Sequence, residues 1–290
     1  MKFGVSSYSF ARMYNENFTQ IDAAKVAKEM GFDFFELAEL QVPAGKEKIE
    51  YAKEFAAACK EIGIEVGNYS IGADFLNSNT GSLEGEIERL KGEIDVAAAL
   101  GASGVRHDAT GGFGKDCKYS GKGYPNALPY LIEGYKAVTE YAQTKGIPTM
   151  IENHGFFAQD STRVEQLICG VNHPNFGVLV DLGNFLCADE NPVEAVGRLA
   201  SMAFHAHAKD FIVKSGMEAN PGECFFCSRG GNYLRGTIVG HGNVPVYQCV
   251  RVLKNAGYDK TFSIEFEGVE ENLMAIRIGF ANLKKYWEMA

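Results

Sequence analysis

The sequence predicts a single (β/α)8 barrel, a TIM barrel, with a long insertion after its seventh strand. Three observations carry that prediction. Short β-rich runs alternate with longer segments of helical period. Five helical runs end in a glycine that leads into a strand: KEMGFDFFEL, KEIGIEV, AALGASGVRH, TKGIPTMIE and KNAGYDKTFSIE. Glycine just past a helix accepts the left-handed backbone that closes it. The chain has 290 residues, enough for eight strand–helix units in one barrel. A doubly wound sheet is disfavoured, because no G-x-G-x-x-G follows the first strand.

Strands are expected near Phe3–Ser9, Phe32–Glu39, Glu65–Ile71, Gly104–Ala109, Pro148–His154, Phe176–Asp181, Met202–Lys209 and Thr261–Glu267. Helices lie between them. The clear ones are Lys46–Ile62, Leu83–Leu100, Asn126–Lys145, Val244–Asn255 and Glu270–Met289. In Leu83–Leu100, Ile87, Leu90, Ile94 and Ala98 recur at spacings of three and four, the period of one helix face. No linker interrupts the pattern, so residues 1–290 read as one domain. The longest irregular stretch runs from about Ile212 to Asn243, and a loop of that length is expected to be functional or disordered.

Composition narrows the class. The chain is 46% hydrophobic and carries a net charge of −9, which argues against a nucleic-acid partner. The opening MKFGVSSYSF turns polar at once, so no secretory signal is expected from it. No run approaches the roughly 20 apolar residues of a membrane span. The seven cysteines are scattered. Cys59, Cys169 and Cys249 sit in apolar helical patterns and read as reduced core thiols of a cytoplasmic protein.

The polar residues on the buried strands carry the chemistry. Alternate residues of a barrel strand point inward. Met150, Glu152 and His154 share one face of TMIENHG, and Leu179 and Asp181 one face of VLVDLGN. His205, His207 and Lys209 share one face of AFHAHAKD, and Ser263, Glu265 and Glu267 one face of FSIEFEG. In SGVRHDA, His107 falls opposite Arg106 and Asp108. Glu152, Asp181, His207 and Glu265 thus converge from four consecutive strands, near their C-terminal ends, where barrel active sites are built. Three carboxylates in one low-dielectric funnel repel each other, and an unpaired buried charge is costly. A divalent cation uses all four groups. One imidazole among oxygens suits Mn²⁺, Mg²⁺ or Co²⁺ better than a structural zinc.

The motifs IENH, VLVDLGN, FHAHAKD and FSIEFEG resemble the sugar phosphate isomerase/epimerase superfamily, the xylose-isomerase-like barrels, and the resemblance covers the whole chain. It implies one divalent metal, Mn²⁺ first, held by Glu152, Asp181, His207 and Glu265. It selects the second histidine of H-x-H as the ligand, leaving His205 as a support for a ligand carboxylate. Ketose 3-epimerases of the family place a histidine shortly after the strand-six aspartate; here Asn184 and Phe185 stand there. H-x-H-x-K-D, RHD and GNYLRGTIVGHG are closer to the inosose dehydratase and keto-glycoside epimerase branches. Apurinic endonucleases of this fold carry three zincs and a larger set of His and acidic ligands, which six histidines, several already placed, in an acidic chain do not favour.

The chemistry so implied is proton abstraction next to a carbonyl of a keto-sugar or 3-keto-glycoside. Glu152 and Glu265 are the expected bases, on opposite sides of the substrate. Elimination of a β-oxygen by the same intermediate, a dehydratase or lyase, is the alternative. A non-catalytic sugar-binding or accessory subunit is the second. His107, His154, Lys209, Arg229, Arg235 and His241 are the expected substrate-binding residues, the arginines as anion contacts from the insertion. No membrane partner is expected, and the chain could self-associate. Cys224 and Cys227 form a lone C-x₂-C that reads as plain thiols; Cys117 and His241 are the nearest conceivable co-ligands for zinc. ATGGFGK reads as a rim loop, and KDCKYSGKGYP after it as a mobile one. Tyr8, Phe10, Tyr69 and Phe113 could stack on a sugar ring. His173 precedes a proline in a surface turn and is given no role.

Overall fold

A computed structural model describes residues 1–114 and 122–290. Cys117 and most of the KDCKYSGKGYP run lie outside the described residues. Eight parallel strands close into a barrel, with helices in the connections. In chain order these are β1 (Lys2–Ser6), α1 (Gln20–Glu29), β2 (Phe34–Ala38), α2 (Lys48–Ile62), β3 (Glu65–Ile71), α3 (Leu83–Leu100), β4 (Gly104–His107) and α4 (Tyr124–Thr144). Then come β5 (Thr149–Glu152), α5 (Ser161–Val171), β6 (Phe176–Asp181), α6 (Pro192–Leu199) and β7 (Ala203–Ala208). The insertion holds β8 (Asp210–Lys214), β9 (Phe226–Cys227) and β10 (Tyr233–Thr237). It is followed by α7 (Val246–Asn255), the last barrel strand β11 (Thr261–Ile264) and α8 (Asn272–Met289). Around the barrel the order is β1-β11-β7-β6-β5-β4-β3-β2.

Local chemistry explains the boundaries. Thr19 and Asp22 close a reciprocal capping box at the start of α1, and the Ser82 hydroxyl accepts the Gly85 N–H at the start of α3. The five glycines at helix–strand junctions, Gly31, Gly63, Gly101, Gly146 and Gly257, all have positive φ, so each serves the helix-closing turn read from the sequence. The outward residues of the strands, such as Phe35, Leu37, Ile151, Val180, Ala206, Ala208, Phe262 and Ile264, are fully buried against the helices.

Four expectations are corrected. β1 ends at Ser6, and Ser7–Phe10 forms a 3-10 turn instead of more strand. Residues 212–243 are not irregular throughout. β8 runs on almost directly from β7, and pairs with β10, which pairs with β9, in an antiparallel sheet over Phe211 and Leu234. The polar run hid that sheet, because its strands are short and its apolar side chains few. Cys59 and Cys249 are buried, but Cys169 is exposed on α5. Phe10 and Tyr69 are fully buried, which leaves Tyr8 as the aromatic of that group on the cleft wall.

Candidate metal centre

The C-terminal ends of the strands bring four side chains to one point. His207 lies in register with Asp181 on β6 and with Ser263 on β11, so Glu265, two residues on, rises beside it. Glu152 ends β5, alongside β6. From His207 Nδ1 the distances are 3.6 Å to Glu265 Oε2, 3.8 Å to Asp181 Oδ2 and 3.9 Å to Glu152 Oε1. One ligand atom from each of the four lies within 4.8 Å of the other three.

The donor set fits a divalent cation. Asp181 Oδ2 and His207 Nδ1 are buried and have no hydrogen-bond partner. A native interior leaves few such atoms unsatisfied. An ion about 2.1 Å from each of two ligands separates them by about 3 to 4 Å at ordinary coordination angles, the spacing found here.

The three carboxylates of this cluster are held from behind. The other Asp181 oxygen accepts the N–H groups of Gly183 and Asn184, both at 2.8 Å. The Asn153 side-chain amide clamps the Asp181 backbone through both its oxygen and its nitrogen. Glu152 meets Arg106 Nε at 2.6 Å and accepts from the Asn184 amide at 3.0 Å. Lys209 meets Glu265 at 2.6 Å, Glu267 at 3.1 Å and Asp181 at 3.6 Å.

The electrostatics follow from this geometry. Burial pushes the Asp181 carboxyl up to about 7, against the pull of Lys209, with Glu152 and Glu265 adding to the rise. Burial also acts to raise Glu265, but Lys209 and His207 outweigh it and hold that carboxyl well below its ordinary range. His207 and Lys209 lose by burial and gain more from the carboxylates around them, so both keep their protons far above their usual values.

Above the four ligands lies a cleft of about 330 Å³. Its wall includes Tyr8, Glu39, Arg106, Asp108, Glu152, His154, Lys209, Glu265 and Glu267. Asp108 bridges Arg106 at 2.9 Å and His154 Nδ1 at 2.8 Å. Burial opposes ionisation of Asp108, but those partners bring its carboxyl down to about 2. Burial works against the His154 proton, but the hydrogen bond to Asp108 together with the charges of Asp108 and Glu152 outweighs it and raises the imidazole above its ordinary value.

Other expected site residues stand elsewhere. His107 points away from the cleft. It is fully buried, stacks on Tyr135 of α4 at 4.4 Å and is pushed down to about 4 by burial. The strand alternation that puts Arg106 and Asp108 inside turns His107 out. Arg229 pairs with Asp160 at 2.9 Å and with the Phe156 carbonyl, which ties the insertion to the loop after β5. Arg235 faces Glu270 at 3.6 Å and the Phe225 ring. His241 is exposed in a turn whose Gly240 and Gly242 N–H groups bind Asp210. None of these four lines the cleft. His205 supports no ligand carboxylate. Its Nε2 meets Glu36 at 2.9 Å, and its Nδ1 meets the Thr261 hydroxyl at 2.7 Å. Cys224 and Cys227 are free and exposed. His173 Nδ1 accepts the Asn175 N–H within its turn.

Sequence reasoning passed over Glu36, Arg106 and Asp108. The period of two held the signal for all three. Glu36 is the charged residue in the otherwise uncharged strand FFELA, and Arg106 and Asp108 share a face opposite the histidine that drew notice.

A family model described as xylose isomerase-like TIM barrel matches residues 24–286. Direct sequence comparison with curated proteins finds no match. Solved structures do match. The apo form of 3-keto-D-glucoside 4-epimerase from E. coli aligns with a TM-score of 0.70 at 16% identity, over 98% of this chain and 99% of that one. An L-ribulose 3-epimerase aligns with a TM-score of 0.74 at 16% identity, over 100% and 95%. The IolI protein with a bound zinc atom aligns with a TM-score of 0.75 at 15% identity, over 100% and 99%. At such identities the likeness is one of fold.

Proposed function

This chain belongs to the xylose isomerase-like TIM barrel family, and from that premise we propose that it is a divalent-metal-dependent sugar isomerase or epimerase. It works by proton abstraction next to a carbonyl, on a keto-sugar or 3-keto-glycoside. One observation carries the proposal: Asp181 Oδ2 and His207 Nδ1, both buried and without a hydrogen-bond partner, face each other within a cluster that Glu152 and Glu265 complete. Glu152, Asp181, His207 and Glu265 hold the metal, with Mn²⁺ the first choice and Mg²⁺ or Co²⁺ the others. When bound, such an ion supplies Lewis acidity to a carbonyl oxygen and so lowers the cost of the negative charge that develops there.

The protein's own groups do the proton transfers. Glu152 and Glu265 enter the cleft from strands on different sides of His207. One takes the proton from the carbon beside the carbonyl, and the other returns it on the opposite face, which inverts that carbon. Arg106 and Asn184 fix Glu152, and Lys209 fixes Glu265, so neither base wanders from its place. Among the described residues of the cleft wall, the cations Arg106 and Lys209 are already paired with interior carboxylates. Carboxylates dominate the rest of the wall, which favours a neutral, unphosphorylated sugar over an anionic one.

A second reading is a dehydratase or lyase. Its support is that Lys209, an ammonium 2.6 Å from Glu265, puts a proton donor beside a base in the same cleft. Elimination needs both.

The test is solvent exchange. The Mn²⁺-loaded protein is incubated in D₂O with a panel of ketoses and 3-keto-glycosides. Deuterium at carbon with retained connectivity marks an isomerase or epimerase, and loss of water or aglycone marks the lyase. Glu152→Gln and Glu265→Gln should each abolish incorporation. A fully active variant removes that residue as a base, and a tightly held metal with no exchange on any substrate leaves only a binding or accessory role.

A further inference from the structure

We propose that Glu36 is the positioning residue of the metal centre: it holds the His207 ring so that Nδ1, and not Nε2, is presented to the ion. The proposal rests on the metal-site reading above and goes beyond it, because Glu36 belongs to neither the ligand set nor the cleft wall.

Glu36 is fully buried in the barrel interior, below the four ligands. Its carboxylate accepts from five directions. His207 Nε2 lies 2.9 Å from one oxygen and 3.0 Å from the other. His205 Nε2 is at 2.9 Å, and the hydroxyls of Ser263 and Ser70 are at 2.8 and 3.1 Å. The Asn68 amide stands further off, at 3.5 Å. Among the described residues no lysine or arginine touches it, so two imidazoles and two hydroxyls offset a buried negative charge. Those imidazoles hold its carboxyl well below the ordinary range in spite of burial.

The tautomer follows from the donor inventory. A carboxylate only accepts, so the His207 nitrogen facing it carries a proton. A neutral imidazole then has its lone pair on the other nitrogen, Nδ1, the atom found unpartnered among three carboxylates. His205 obeys the same rule. Its Nε2 donates to Glu36, and its Nδ1 accepts from the Thr261 hydroxyl. Glu36, His205 and His207 also lie close enough to hold an ion of their own. But both imidazole nitrogens facing Glu36 act as donors there, and a metal in that spot would need both deprotonated. The inner cluster is therefore a support for the outer one.

An outer partner of this kind is typically worth 10- to 100-fold in metal affinity. Glu36→Gln keeps one acceptor oxygen for His207 and loses the charge; Mn²⁺ affinity should fall about tenfold. Glu36→Met leaves Nε2 with no acceptor; affinity should fall about 100-fold. Affinity is read from free Mn²⁺ by electron paramagnetic resonance, and retention of the barrel from circular dichroism of the metal-free variants. Folded variants that both bind Mn²⁺ as the parent does overturn the proposal. If the variants do not fold, ¹⁵N ring shifts of the Zn²⁺-loaded parent decide it. A proton on Nε2 of His207 supports the assignment, and one on Nδ1 overturns it. Two equivalents of bound Mn²⁺ per chain would also overturn it, since Glu36 would then be a ligand itself. A parent protein that binds no metal refutes the metal-site reading instead, which keeps the two failures apart.

Discussion

Metal binding by this protein should release protons, and the number should change with pH in a predictable way. In the metal-free site two of the four ligands hold a proton that the ion must displace. His207 keeps its Nδ1 proton well above its usual range, because Glu36 and Glu265 outweigh its burial. Asp181 titrates at about 7, because burial and two neighbouring carboxylates outweigh Lys209. At pH 6 Asp181 is about nine-tenths protonated and at pH 8 about one-tenth, so its share of the protons released on binding should fall by about 0.8 between pH 6 and pH 8, in addition to the proton displaced from His207. The sign is fixed: protons compete with the ion, so affinity rises with pH. Apparent affinity should rise more steeply with pH below 7, where Asp181 still holds its proton, than above it. Calorimetry in buffers of different ionisation enthalpy counts the protons directly. Release of less than one proton at pH 6, or a count that does not fall between pH 6 and 8, would refute the assignment of Asp181 and His207 as buried, proton-bearing ligands.

Two further perturbations test the framework around the site. Lys209→Met removes the ammonium that Glu265, Glu267 and Asp181 share; denaturation of the metal-free protein should show a loss of about 3–5 kcal/mol, the cost of uncovering a buried charge, and a loss under about 1 kcal/mol contradicts the pairing. Gly4→Ala puts a Cβ 2.1 Å from the Phe34 ring on the neighbouring strand; it should cost about 1–3 kcal/mol by overpacking, read as a lowered melting temperature, and Phe34→Leu in the same chain should recover part of it.

Much of the site was legible in the sequence because a barrel strand obeys a period of two and the sequence displays that period openly. Glu152, Asp181, His207 and Glu265 could be set on inward faces one strand at a time, and the structure gathers them at one point. The same rule set Arg106 and Asp108 on the face opposite His107 without saying which face was inward, and residue type drew attention to the histidine, which the structure turns outward onto Tyr135. Lys209 reaches interior carboxylates and not its neighbour Asp210, whose oxygens bind backbone N–H groups of the insertion. No local pattern announces that choice. Nor could it show that Arg229 and Arg235 turn to Asp160 and Glu270 instead of the cleft.

Periodicity and helix-closing glycines are local properties, written within a few residues of where they act, and they marked out the eight barrel strands, five of the helices and the inward faces of β5, β6 and β7. Partnership is not local. Glu36 meets His205 across 169 positions and His207 across 171, and only closure of the barrel brings side chains of β2 across the interior to those of β7. A buried carboxylate accepts whatever donors the closed barrel presents. The strand pattern therefore placed the four candidate ligands, and the tertiary structure decided which nitrogen of His207 faces the other three.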